Sequence, residues 1–180
     1  MTLLFAGLLL LVAVLGIGRD ARLLAWHGLA TALCLLSSGA HLAALLAAGA
    51  ALSGGVGFSV GLRVFEQPVQ GTTAVRRAGA VGLLAVGLAA FSETAGRSGT
   101  DVDVLAACGF AVLLAGIYAA LLAPGVLEQA ISVVCALDGV LVLAGVAGSI
   151  PAVVIAVVLE VCLAVLTALV LRRLVWSAHD

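Results

Sequence analysis

The sequence predicts an all-α, polytopic membrane protein with about seven transmembrane helices. Three observations carry that expectation. Hydrophobic residues make up 64% of the 180 residues and charged residues 9%, where soluble domains carry about 25% charged residues. Mean hydropathy is +1.35. The apolar stretches between charges and turn residues mostly match the roughly 17–25 residues that cross a bilayer.

The first span is expected over about 2–17. It lacks a basic leader, and its charges, Arg19 and Arg22, follow the apolar run. That is the pattern of a retained first helix with a translocated N-terminus rather than a cleaved signal. From Arg22 to Arg63 the chain carries no formal charge. This is too long for one span, and Ser37-Ser38-Gly39 with His41 divides it into spans of about 22–38 and 42–62. Gly54, Gly55, Gly57 and Gly61 thin the third span, allowing either close helix contact or a backbone-lined polar passage. The longest connection, Glu66 to Arg77, holds Pro68, Gly71, Thr72 and Thr73 and leads to a fourth span of about 77–92. A loop with Glu93, Arg97, Asp101 and Asp103 precedes a fifth, about 104–122. The last two, about 127–147 and 150–172, are joined by the short turn Gly148-Ser149-Ile150-Pro151. Pro151 suits a first helical position, where its missing N–H costs nothing. The whole chain, 1–180, reads as a single integral membrane domain.

Arginine sets the orientation. All eight basic residues are Arg. With seven spans, Arg19, Arg22, Arg63, Arg76, Arg77, Arg172 and Arg173 share one side, and only Arg97 lies on the other. The positive-inside rule makes the rich side cytoplasmic, with the N-terminus out and the C-terminus in. Merging the second and third stretches would scatter these clusters over both sides. Trp26 and Trp176, near Arg22 and Arg173, suit an interfacial aromatic belt. Abundant Ala, Gly, Val and Arg without Lys suggests a GC-rich bacterial genome, and so the bacterial plasma membrane.

A net charge of −1 without a basic patch argues against a nucleic-acid partner. No Gly-rich phosphate loop, nucleophile elbow, H-E-x-x-H or metal-ligand cluster is present. The chain is therefore expected to hold no cofactor or metal of its own and to be no enzyme by itself. Cys34, Cys108, Cys135 and Cys162 all lie in apolar runs without a C-x-x-C, and are expected to pack as small buried hydrophobes.

Two acids stand out. Asp138 and Glu160 lie near the middle of the last two spans, where a carboxylate costs about 2.5–3.5 kcal/mol on insertion scales. The short turn makes these helices antiparallel neighbours. Each acid is eleven residues from Ser149, or about 16 Å along a helix, near the midplane of a core about 30 Å thick. Equal depth on adjacent helices is how a lateral proton relay would be built. Fixed carboxylates, ion-paired or hydrogen-bonded to a neighbouring subunit, are the structural alternative. Glu128 opens its span, where an acid also favours the helix N-terminus, and Gln129 beside it is a candidate for the cytoplasmic way in. Arg63 and Glu66 end the third span. Arg63 either snorkels to the interface or supplies fixed positive charge to an acid. His41 at the outer turn and His27 in the second span titrate in the useful range, although an isolated His is more often a satisfied polar residue.

The chain resembles hydrogenase-4 component E, a membrane subunit of group 4 nickel–iron hydrogenases and formate hydrogenlyase-type complexes. Its last three spans look like the small NuoK-type subunit of bacterial complex I. The resemblance rests on Arg22-Leu23-Leu24, on Arg63 with Pro68, on QAISVVCALDG (Gln129 to Gly139), and on PAVVIAVVLEVCLAVLTALVLRRLVW (Pro151 to Trp176). It implies that Asp138 and Glu160 take the places of the acids in the penultimate and final helices, which belong to a hydrophilic axis linking redox chemistry to proton pumping. Two positions depart from the family pattern. An Asn after the acid is absent, since Gly139 follows Asp138, and Arg63 stands where Lys is common. Arg cannot give up its proton, so Arg63 could bias a neighbour but not relay.

The expected function is a non-catalytic membrane subunit of such an assembly, contributing to proton or sodium translocation. Its partners would be antiporter-like and hydrogenase membrane-anchor subunits, together with the lipid bilayer. A purely structural anchor subunit and a stand-alone small transporter are the alternatives; the transporter is disfavoured by the lack of matching halves.

Overall fold

The computed structural model describes residues 2–16, 21–39, 41–63 and 100–177, together with 78–79, 81–82, 84–85 and 89. Six helices are delimited among them: α1 (Thr2–Gly16), α2 (Arg22–Ser37), α3 (Leu42–Leu62), α4 (Asp101–Leu121), α5 (Val126–Val146) and α6 (Ile150–Ser177). The described residues of 78–89 are helical as well. Four helices, α3 to α6, are long and apolar enough to cross a membrane, and α1 and α2 are shorter apolar helices. The chain is therefore a multi-pass, all-helical membrane protein. Most of the predicted fourth span, and the connection holding Glu66, Pro68, Arg76 and Arg77, lie outside the described residues, as do Arg19, Glu93 and Arg97.

Local chemistry sets the helix ends. The fifth predicted span begins earlier than expected because Asp101 and Asp103 belong to the helix rather than to a loop. Thr100 and Asp103 form a reciprocal capping box, with the Thr100 N–H and hydroxyl both donating to Asp103 Oδ2, which satisfies orphan donors of the first turn. The α5–α6 turn closes as a Schellman motif. Gly148 takes φ +68°, while Ser149 N–H donates to Ala144 O and Gly148 N–H to Gly145 O. Glycine adopts that left-handed conformation without a Cβ penalty. Pro151 falls second in α6 rather than first, still within the turn that lacks intrahelical acceptors.

Helix α5 is the hub, packing against α2, α3, α4 and α6. Two-thirds (67%) of its apolar window is buried, against 22% for α6. Glycines set the closest approaches. A Cβ on Gly139 would lie 2.6 Å from Gly109 O and Leu113 N, and one on Gly116 would lie 2.6 Å from Ala136 N, so α4 and α5 meet nearly backbone to backbone. Gly28 and Gly55 do the same for α2 and α3, where a Cβ on Gly55 would lie 3.1 Å from Gly28 Cα. Without a hydrophobic drive between helices in lipid, such small-residue contacts are a main source of association. Many apolar side chains of α6, among them Ile155, Val161, Leu166 and Leu169, point outward, as a lipid-facing helix requires.

The bundle has two distinct ends. Thr2 Oγ–H donates to Asp101 Oδ2 (3.0 Å), and His41 Nε2–H donates to Gly145 O (2.7 Å), which gathers the starts of α1 and α4 and the α2–α3 and α5–α6 turns. At the other end Ala21, Leu62, Ile131 and Leu171 cluster, beside exposed Arg22, Arg63, Arg172 and Arg173. Cys34, Cys108 and Cys135 are buried, as small hydrophobes should be, and Cys108 Sγ–H donates to Ala6 O. Cys162 departs from that expectation and is exposed, because it falls on the outward face of α6.

Candidate functional site: a buried polar cluster

Polar side chains gather where α2, α5 and α6 meet α3. Asp138, 1% exposed, is carried by the hub helix about three turns from the α5–α6 hairpin. Its Oδ2 lies 2.6 Å from Nδ1 of His27 on α2, which is equally buried. Either the ring N–H donates to the carboxylate or the acid O–H donates to the bare ring nitrogen, and the two forms differ only in which atom holds the proton. Glu160, 5% exposed, sits on α6 within electrostatic reach of Asp138. Its carboxyl lies over Gly54 of α3, where an added Cβ would be 3.0 Å from Oε2. The missing side chain at Gly54 is what gives the carboxyl room.

Four buried polar atoms here have no hydrogen-bond partner within the described chain: His27 Nε2, Thr31 Oγ1, Asp138 Oδ1 and Glu160 Oε1. Thr31 follows His27 by one helical turn on the same face of α2. A buried polar atom without a partner costs about 1–3 kcal/mol, and natural interiors hold few of them. Their concentration in one place marks the cluster as a candidate site rather than a packing feature.

Glu160 also lines a lateral cleft between α3 and α6 of about 410 Å³, together with Ser53, Gly54, Gly57, Gly61 and Ala164. The glycines of the third span therefore divide. Gly55 packs against α2, whereas Gly57 and Gly61 have open space beyond them and form the cleft wall. The cluster thus runs across the bundle at mid-depth, from His27 through Asp138 and Glu160 to a lipid-facing opening.

The other expected residues lie apart. His41 is held at one end by its bond to Gly145 O. Arg63 is exposed at the C-cap of α3, at the opposite end. Glu128 is half-buried in the first turn of α5, with its carbonyl accepting from Ser132 Oγ–H (2.8 Å). Gln129 is nine positions from Asp138, about half a turn around the helix. It lines a different cleft, with Thr167 and Val133 between α4, α5 and α6, rather than the approach to Asp138. His27, expected only as a titratable residue of the second span, is in direct contact with Asp138. The signal available for it was a titratable side chain inside an otherwise apolar span. Among the described residues no group of His, Cys, Asp and Glu is arranged to hold a metal ion.

Compared with known proteins, the chain matches no family model, no curated protein and no solved structure.

Proposed function

We propose that this chain is a seven-span membrane subunit of a hydrogenase-4-like or complex I-like assembly in the bacterial plasma membrane, and that its buried carboxyls pass protons, or sodium ions, laterally. The observation that carries the reading is the mid-depth cluster itself. Asp138 and Glu160 on adjacent helices lie in mutual electrostatic reach, each with a buried, unpartnered oxygen. Intramembrane acids facing a bundle interior are expected at ion and proton pathways.

Helix directions support the seven-span count. α3 runs antiparallel to α2, since Gly55 packs against Gly28 and Leu24 while Ala44 and Leu35 meet at Gly145. Arg63 therefore ends on the side opposite Thr2, whereas Asp101 bonds to Thr2. Arg63 and Asp101 thus lie at opposite ends of the bundle, as the expected fourth span between them requires. The described arginines gather at one end, which favours the N-out, C-in orientation. The glycine-walled cleft beside Glu160 offers a neighbouring subunit a place to take the proton onward.

Replacing Glu160 with Gln tests the reading in vesicles containing the assembled complex. Translocation is expected to fall by about 10²-fold or more while assembly is kept, since a positioned proton carrier contributes about 10²–10⁴-fold. Unchanged translocation with normal assembly would favour the structural-anchor role. Purification as an isolated, substrate-carrying protein would favour the stand-alone transporter.

A further inference from the structure

We infer that His27 is itself a proton carrier, and that it branches the Asp138–Glu160 relay out of the final hairpin into α2, toward Thr31 and the His41 end of the bundle. The inference rests on the relay reading above and extends it to a helix outside the three spans that resemble the complex I subunit.

A carrier in a proton chain needs two contacts, one to receive from and one to deliver to. Asp138 has both, Oδ2 on His27 Nδ1 at 2.6 Å and a second, buried and unpartnered oxygen, Oδ1, with Glu160 in electrostatic reach of the carboxyl. His27 also has both, since Nδ1 is engaged and Nε2 is buried and unpartnered. A histidine serving only to hold two helices together gains nothing from leaving its second nitrogen unsatisfied in a low-dielectric interior. Imidazole is the side chain that can accept a proton on one nitrogen while giving one up from the other. Thr31, one turn further along the same face, is fully buried, and its hydroxyl is unpartnered too. A hydroxyl can accept and donate in the same chain.

The transfer balances without an added reagent. The proton of Asp138 Oδ2–H passes to Nδ1, leaving a carboxylate and an imidazolium. The Nε2 proton then leaves to water reaching Thr31, and the ring is left neutral with its proton on Nδ1. Transfer of a proton from Glu160 to Asp138 recharges the acid, and tautomer exchange through water, with Nε2 taking up a proton as Nδ1 gives one up, resets the histidine. Helix α2 packs against α1, α3 and α5; among the described residues α5 presents Asp138 and Cys135 near His27, α1 presents no titratable side chain, and Glu160 of α6 reaches Asp138. Among the described residues α3 presents none at this level.

His27→Asn tests the idea in the assembled complex, because the Asn amide can replace Nδ1–H toward Asp138 but cannot carry a proton. Translocation should drop about tenfold or more with assembly intact. The infrared C=O band of protonated Asp138, identified by its loss in Asp138→Asn, should stop changing with turnover. A His27→Asn complex that translocates normally and keeps that turnover-dependent band overturns the inference. Where His27→Asn does not assemble, Thr31→Val decides. It keeps shape and removes the hydroxyl, so a severalfold loss supports the branch and unchanged translocation overturns it. Glu160→Gln, run in parallel, separates the two failures. If it abolishes translocation while His27→Asn and Thr31→Val do not, only the branch is lost.

Discussion

Asp138 and Gly139 are consecutive residues of α5, and they face two different interiors. Gly139 faces α4, where the helices touch through glycine and alanine and the space for a side chain is filled by the backbone of Gly109 and Leu113. Asp138 faces α2 and α6, where His27, Thr31 and Glu160 leave buried polar atoms unpartnered. The first seam is closed and apolar, and it fixes α5 against α4. The second is polar and incompletely satisfied, which costs stability but leaves atoms free for exchange. The difference teaches that the hub helix draws rigidity from one face and chemistry from the adjoining one, so changes to the two faces should separate cleanly.

The largest effect on stability should come from the closed seam. Gly139→Ala forces a methyl group to 2.6 Å from Gly109 O and Leu113 N. A loss of about 1–3 kcal/mol is expected, the range for overpacking a tight interior. Thermal unfolding of the protein in lipid or detergent checks it, and an unchanged midpoint would show that α4 and α5 pack more loosely than described. A smaller effect is expected at the hairpin end. His41→Ala removes the bond to Gly145 O (2.7 Å), for a loss of about 1 kcal/mol in the same assay, with translocation unchanged because His41 lies apart from the polar cluster. The smallest belongs to the cleft wall. Gly57→Ala meets nothing within 4 Å and should shift stability by no more than about 0.5 kcal/mol. A strong loss of co-purifying protein in Gly57→Ala, with stability unchanged, would favour the proposed seating of a partner in the cleft.

Much of the fold was legible because hydropathy and turn residues act locally. The expected third span, 42–62, coincides with α3, 22–38 runs one residue past α2, and 127–147 is shifted by one residue from α5. Helix α4 starts three residues before the expected fifth span, because Thr100 and Asp103 cap it and draw both acids into its first turn. The last helix runs on to Ser177, since Arg172 and Arg173 are good helix formers beyond the apolar run. The depth of Asp138 and Glu160 could be measured from Ser149 because a helix has a fixed rise. The partner of Asp138 could not be read in that way. His27 is 111 residues away, and which faces of α2 and α5 meet depends on glycine contacts such as Gly28 with Gly55 that no single-helix pattern contains. The same limit separates Gln129 from the acid: proximity in sequence to Glu128 said nothing of a cleft on the far side of α5.

Helix α2 has 16 residues, about 24 Å of rise, against a hydrocarbon core of about 30 Å. Arg22 at its start is exposed, and so is Trp26 one turn on. This edge of the molecule therefore has a hydrophobic mismatch that the long helix α6, with 28 residues, does not share. Lipid beside α2 must thin, or head groups and solvent must dip toward Trp26. His27 is the next residue. A short helix beside the histidine that contacts Asp138 makes membrane thickness a variable that acts on how far that side chain lies from water.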